Sequence, residues 1–319
     1  MRALGKLALL LASCTAISPA GAASTPALDD TPLDPVALDR WWDFAHPVES
    51  EARFRAELER LPARAASRLE LLTQIARAQG LDRRFDAANA TLDEVEKTLP
   101  GKPERVAIRY LLERGRVYNS SGSPQKAVPL FSAALDRART AKEDFLAIDA
   151  AHMLGIAAPS EQRLEWNLEA LAMAERTADA RSKRWLASLY NNIGWTYHER
   201  GEYAKTLDCF ERALAAREAR GDPASIRVAW WAIARAYRSL GRYDEALAIQ
   251  RRLLAETIAA DAPDGYVHEE LGELLVLRGE ATEARAQFAR AYELLSADAG
   301  FVAAEPGRLA RMREFGGAR

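Results

Sequence analysis

Two stretches decide the fold: Tyr190-Asn191-Asn192-Ile193-Gly194-Trp195-Thr196-Tyr197 and Trp230-Trp231-Ala232-Ile233-Ala234-Arg235-Ala236-Tyr237. Each sets a small residue in mid-segment and a tyrosine three places on, so the two share one helical face. A glycine follows four residues later, Gly201 or Gly241, and then Tyr203 or Tyr243. Glycine there suits a helix end, where a left-handed backbone costs it least.

Other copies lie on both sides. Gly115, Tyr118, Gly122, Ala127, Phe131 and Ala134 form one upstream, and Gly272, Gly279, Ala284, Phe288 and Ala291 form one downstream. Weaker copies centre on Ala76 and Ala151. The six small residues Ala76, Gly115, Ala151, Gly194, Ala234 and Gly272 follow one another at 36 to 43 residues. That period marks a solenoid of helical hairpins, each burying its apolar face only against its neighbours. The small residue lets the second helix approach the first, and Phe131, Phe210 and Phe288 are expected to fill the space between repeats. Pro100-Gly101-Lys102-Pro103, Gly221-Asp222-Pro223 and Pro263-Asp264-Gly265 punctuate the joins.

This pattern resembles the tetratricopeptide repeat family from about Leu69 to Ser296, with a period longer than the usual 34. Arg163 and Thr206 stand where the family usually has alanine, and its repeat-ending proline is mostly missing. The resemblance implies an all-α, right-handed superhelical solenoid of about six helix-turn-helix repeats with helical caps at both ends. The expected division is 1–23 a signal peptide, 24–34 a polar linker and 35–62 capping helices. The solenoid itself spans 63–297, and 298–319 form a C-terminal capping helix and tail. Within the first cap, Ser50 is expected to start a helix running to about Leu61.

Composition agrees. The 319 residues are 49% hydrophobic and 28% charged with a net charge of -2, which excludes a disordered chain and a polytopic membrane protein. Acidity and the absence of a basic stripe disfavour nucleic acid. Arg2 and Lys6 precede the uncharged run Leu7 to Ile17, the order of a secretory leader too short to span a bilayer for good. Two processing routes fit: a lipobox, Leu11-Ala12-Ser13-Cys14, that lipidates Cys14, and cleavage near Ala20-Gly21-Ala22. Either makes the protein periplasmic or lipid-anchored in a bacterial envelope, and an acylated Cys14 would be its link to the membrane. Loss of 1–23 removes two cations and no acid, taking the net charge to -4 and leaving Cys209 without a disulfide partner.

In the resembling family the first helix of each repeat lines the inner face, where partners bind. The stripe three before, one after and four after the small residue is expected there. With Arg109 one turn before it, the expected partner-binding set is Arg77, Arg109, Arg116, Asn119, His152, Asn191, Asn192, Trp195, His198, Trp231, Arg235 and Arg238. Guanidinium forks grip carboxylates and indoles supply apolar anchors, so a protein or extended, acidic peptide is the expected partner. The bland alternative pairs the arginines with Glu113, Glu199 and Glu269 and buries the indoles between repeats. A metal- or ligand-dependent site at His152 and His198 is the second reading, and a self-assembling module the third. No phosphate loop, nucleophile elbow or zincin helix occurs, so no cofactor, metal or catalytic residue is expected. Cys209, beside Phe210 in a second helix, reads as core.

Overall fold

The computed structural model describes residues 31–62 and 65–317. The leader, Cys14 and most of the polar linker lie outside the described residues, as do Ala63 and Arg64. Six hairpins follow one another: α3 (Ala66–Leu81) with α4 (Phe85–Thr98), α5 (Glu104–Ser120) with α6 (Pro124–Ala141), and α7 (Asp144–Ala157) with α8 (Ser160–Arg176). They continue with α9 (Leu186–Glu199) and α10 (Tyr203–Glu218), α11 (Pro223–Ser239) and α12 (Tyr243–Ala259), and α13 (Gly265–Leu277) and α14 (Ala281–Leu295). A short 3-10 turn, Ser182–Trp185, leads into α9. In front stand α1 (Pro35–Trp41) and α2 (Pro47–Leu58); behind stand α15 (Ala299–Ala304) and α16 (Pro306–Gly316). No strand occurs among the described residues. The all-α solenoid is the observed fold.

Two kinds of glycine hold it together, for different reasons. A Cβ at Gly201 would meet nothing within 4 Å, but φ is 72° there, and Gly241 repeats this at 75°. Those positions need backbone freedom to turn the hairpin. Gly194 needs space instead, because a Cβ would lie 2.5 Å from the Phe210 ring. Gly115 meets Phe131 in the same way, and Gly272 meets Phe288 at 3.0 Å. The three phenylalanines, all 0% exposed, therefore fill the seam inside a hairpin; the expectation that they bridge neighbouring repeats is corrected.

A size rule follows from the register. The residue sixteen places after each small residue is Leu92, Phe131, Asn167, Phe210, Gln250 or Phe288. Glycine always faces phenylalanine, and alanine always faces something smaller, because the seam holds a nearly fixed volume. All six of these partners are buried.

The first cap departs from expectation at its start. Pro47 opens α2, since proline costs nothing in the first helical turn. Ser50 thus lies inside the helix and is fully buried. Its hydroxyl accepts from the Asp43 amide at 2.8 Å and donates to the Asp43 carbonyl at 2.9 Å, fixing the α1–α2 corner. Asp34 caps α1 by accepting from the amides of Val36 and Ala37.

Candidate functional site

The first helices of successive repeats pack side by side, α3 on α5, α5 on α7 and α11 on α13. This brings a row of residues two before the small position against a row one after it in the preceding repeat. Arg77 Nη1 lies 3.7 Å from Glu113. Arg116 bonds Asp149 across to α7, and Glu113 on its own helix at 3.0 Å. His152 Nε2 lies 3.0 Å from Asn192 Nδ2. Arg235 Nη1 approaches Glu270 at 3.8 Å. The ladder runs into both caps: Trp42 donates to Gln74, and Arg311 of α16 donates to Glu273 at 2.6 Å.

Most of the predicted cations are therefore already matched. Arg109 is buried and donates from Nε to Glu70 at 2.9 Å, while Arg238 grips the buried Glu270 with two bonds of 2.5 and 3.0 Å. Burial alone would lower the Arg116 pKa, but Asp149 and Glu113 overcome it and hold the group above its ordinary value. Burial works against the charged form of Asp149 as well, yet Arg116 and Arg77 keep its carboxyl below the usual range. For Arg109, Arg116 and Arg238 the pairing reading wins over the open-surface one. Glu113 supplies part of it; Glu269 instead takes Arg308 of α16, and Glu199 is exposed.

The row three before the small residue is also different from expectation. Thr73, Leu112 and Ile148 are at most 1% exposed and belong to the interior. The missing acceptors were visible two residues before the small position, where Glu113, Asp149, Asn192 and Glu270 recur.

The histidines do not face one another as a pair. His198 Nε2 bonds Ser239 Oγ at 2.8 Å, one repeat further along than the His152–Asn192 contact. Burial pushes His152 down to about 4, with Arg116 and Arg77 adding to the effect, so the ring is neutral at pH 7. His198 is lowered for the same first reason, then by Arg238. Among the described residues, three ligand-type atoms converge within 4.8 Å at Asp43, His46 and Glu49, a surface cluster far in sequence from either ring. Cys209 is buried, and burial raises its thiol to about 11, leaving no thiolate for chemistry.

What stays available is aromatic. Trp195 stands in the same row as Arg116 and His152, but the residue two before the next small position is Ala232, which offers it no polar partner. Its ring meets Trp231 at 6.1 Å, and Trp231 meets Tyr266 at 6.2 Å with its indole N–H donating to the Tyr266 carbonyl. Both indoles are half-buried and Tyr266 is 39% exposed. Arg235 flanks this track with 28% of its side chain exposed. Asn119 and Asn191 are half-buried beside the same face.

At the other end the face is roofed. The Asp39 carboxylate of α1 accepts 3.0 and 2.9 Å bonds from Arg181 and a further bond from Arg184, both on the turn before α9. Beneath lies a cavity of about 350 Å³ bounded by α1, the first helices of three repeats and that turn.

Residues 186–220 and 228–255 match two models of the tetratricopeptide repeat, over α9–α10 and α11–α12. No curated protein matches the sequence. Among solved structures, BtubC (BKLC) from P. vanneervenii is 20% identical with a TM-score of 0.54, over 72% of this chain and 94% of its own. The STAND protein PH0952 from Pyrococcus horikoshii, which carries a tetratricopeptide repeat sensor, gives 15% and 0.66, over 89% of this chain and 44% of its own. NprR in complex with its cognate peptide NprX gives 16% and 0.56, over 88% and 84%. At these identities the likeness is one of fold.

Proposed function

We propose that this tetratricopeptide-repeat chain is a non-catalytic scaffold that takes an extended protein segment along the first-helix face of repeats four to six. The observation that carries the proposal is the half-buried track Trp195–Trp231–Tyr266, set where the polar ladder between helices is interrupted. Flat rings that keep accessible surface on a rigid helical wall are the residues that dominate binding energy when a partner covers them. Arg235, the least tightly paired cation near the track, would orient an acidic side chain of that segment. The peptide carried by NprR on a similar fold is consistent with this kind of partner.

The ladder revises the weight of the two contributions. With Arg109, Arg116 and Arg238 engaged by buried acids, apolar contact supplies most of the affinity and charge supplies orientation. Binding of an array of extended peptides, each with one aromatic or aliphatic anchor and one acid, tests this directly. Trp195→Ala with Arg235→Ala is expected to abolish the signal; undiminished binding by that variant rules out this face. As part of the same proposal, the scaffold works in a bacterial envelope, anchored if Cys14 is acylated. Mass spectrometry of the mature N-terminus decides between an acylated Cys14, cleavage near Ala22 and an intact leader.

A further inference from the structure

The cavity under α1 has a chemistry that the peptide-binding reading does not use. Its wall carries five guanidinium groups, Arg77, Arg109, Arg181, Arg184 and Arg220, against three carboxylates, Asp39, Glu113 and Asp149. The carboxylates are committed: Asp39 to Arg181 and Arg184, Asp149 to Arg116, and Glu113 to Arg116 and Arg77. The surplus is positive.

Two wall residues also keep donors without acceptors. Arg109, 4% exposed, leaves Nη2 unpartnered, and Trp185 leaves its indole nitrogen unpartnered. Buried donors in that state are costly unless something supplies an acceptor. Glu113 Oε2 is unpartnered as well, which leaves room for a ligand hydroxyl on that side. Arg77 makes no close ion pair; it sits 5.2 Å from the Phe44 ring and 5.6 Å from the Trp42 ring, which stack on each other at 4.6 Å. Phe145 and Trp185, 5.7 Å apart, form a second aromatic wall.

We propose that this cavity is a binding site for a small aromatic carboxylate, held at its charged end by Arg77 and Arg109 and at its ring by the aromatic walls. A carboxylate is favoured among anions because the site already holds one: Asp39 shows how the guanidinium groups of this roof accept that group. The volume, about 350 Å³, suits a single-ring molecule and lies at the small end of ligand pockets. Because α1 forms the roof, ligand entry requires the Asp39 contacts to open, and the bound ligand would hold α1 in place. This site is independent of the aromatic track, so either reading can fail alone.

Phenylacetate titrated into the full chain, followed by tryptophan fluorescence, tests the assignment, since Trp42 and Trp185 line the cavity. Saturable binding is expected, with phenylacetamide, the neutral isostere, at least tenfold weaker. Arg77→Gln is expected to weaken phenylacetate at least tenfold, and Arg235→Gln on the distant track to leave it unchanged. Should circular dichroism show Arg77→Gln unfolded, Arg184→Gln on the exposed roof is the variant read, with weaker phenylacetate binding expected. No saturable change up to millimolar phenylacetate, equal binding of the amide, or equal binding by the folded roof or wall variant overturns the proposal.

Discussion

Two junctions between successive first helices of this solenoid use the same backbone plan and opposite chemistry. Between α5 and α7, Arg116 reaches the 2% exposed Asp149 and the 2% exposed Glu113, and the seam is closed by charge. Between α9 and α11, Trp195 holds the place of Arg116, and Ala232 the place of Asp149. There the seam is closed by stacked rings that keep part of their surface open. A repeat scaffold can thus trade a locked, ionic junction for an adhesive one by changing two side chains. The first kind specifies how repeats stack, and the second leaves something to bind.

Removing one partner of the ionic junction should have the largest effect. Asp149→Ala strands Arg116 and Arg77 in a buried setting, and a loss of about 3–5 kcal/mol in urea unfolding is expected. A loss below ~1 kcal/mol would show that the junction is far wetter than its burial implies.

The comparison is sharpened by transplanting one junction into the other. Ala232→Asp alone puts an unpaired carboxylate at a 2% exposed site, with about 3 kcal/mol lost. Adding Trp195→Arg should restore about 0.5–3 kcal/mol of this as coupling energy in a double-mutant cycle. Strict additivity would mean that the two rows do not meet at α9–α11 as they do at α5–α7.

The junction next to the ionic one should show itself in pH dependence. His152 titrates at about 4 in the fold against 6.5 for an ordinary histidine, so between those values the unfolded chain binds a proton that the folded chain refuses. Stability from this group is complete above about 6.5 and falls as pH drops toward about 4. His152→Gln is expected to flatten the melting profile over that window. Glu270 has the opposite sign, because burial raises it to about 7 from 4.5 against the pull of Arg238. Its contribution favours the fold below 4.5 and declines as pH rises toward about 7, so Glu270→Gln should flatten the neutral side.

The smallest effect belongs to the rim. Glu273 and Arg311 form a pair whose arginine is 44% exposed, and Glu273→Ala should cost about 0–1 kcal/mol. A larger loss would assign the α16 cap a greater part in stability than its exposed contacts suggest.

The sequence showed the repeat unit clearly, because a hairpin's register is set over short distances. Gly194 facing Phe210, sixteen residues on, is an intra-hairpin contact that spacing alone can carry. The inner stripe was half legible. The row bearing Arg77, Arg116, His152, Trp195 and Arg235 was found, whereas the acceptor row two before each small residue was assigned no role. Glu113 and Asp149 look like ordinary surface acids until α5 and α7 are packed together.

By itself the sequence determined an all-α hairpin solenoid, its six-fold repetition and the glycines that turn and tighten each hairpin, since these depend on local backbone and side-chain volume. Only the tertiary structure decided which charges are spent on one another and that α1 reaches the turn before α9. Arg116 and Asp149 are 33 residues apart and Asp39 and Arg181 are 142 apart, so their meeting depends on the angle at which successive repeats stack. No periodicity in one chain encodes that angle, because it emerges from the summed packing of every interface between the two residues.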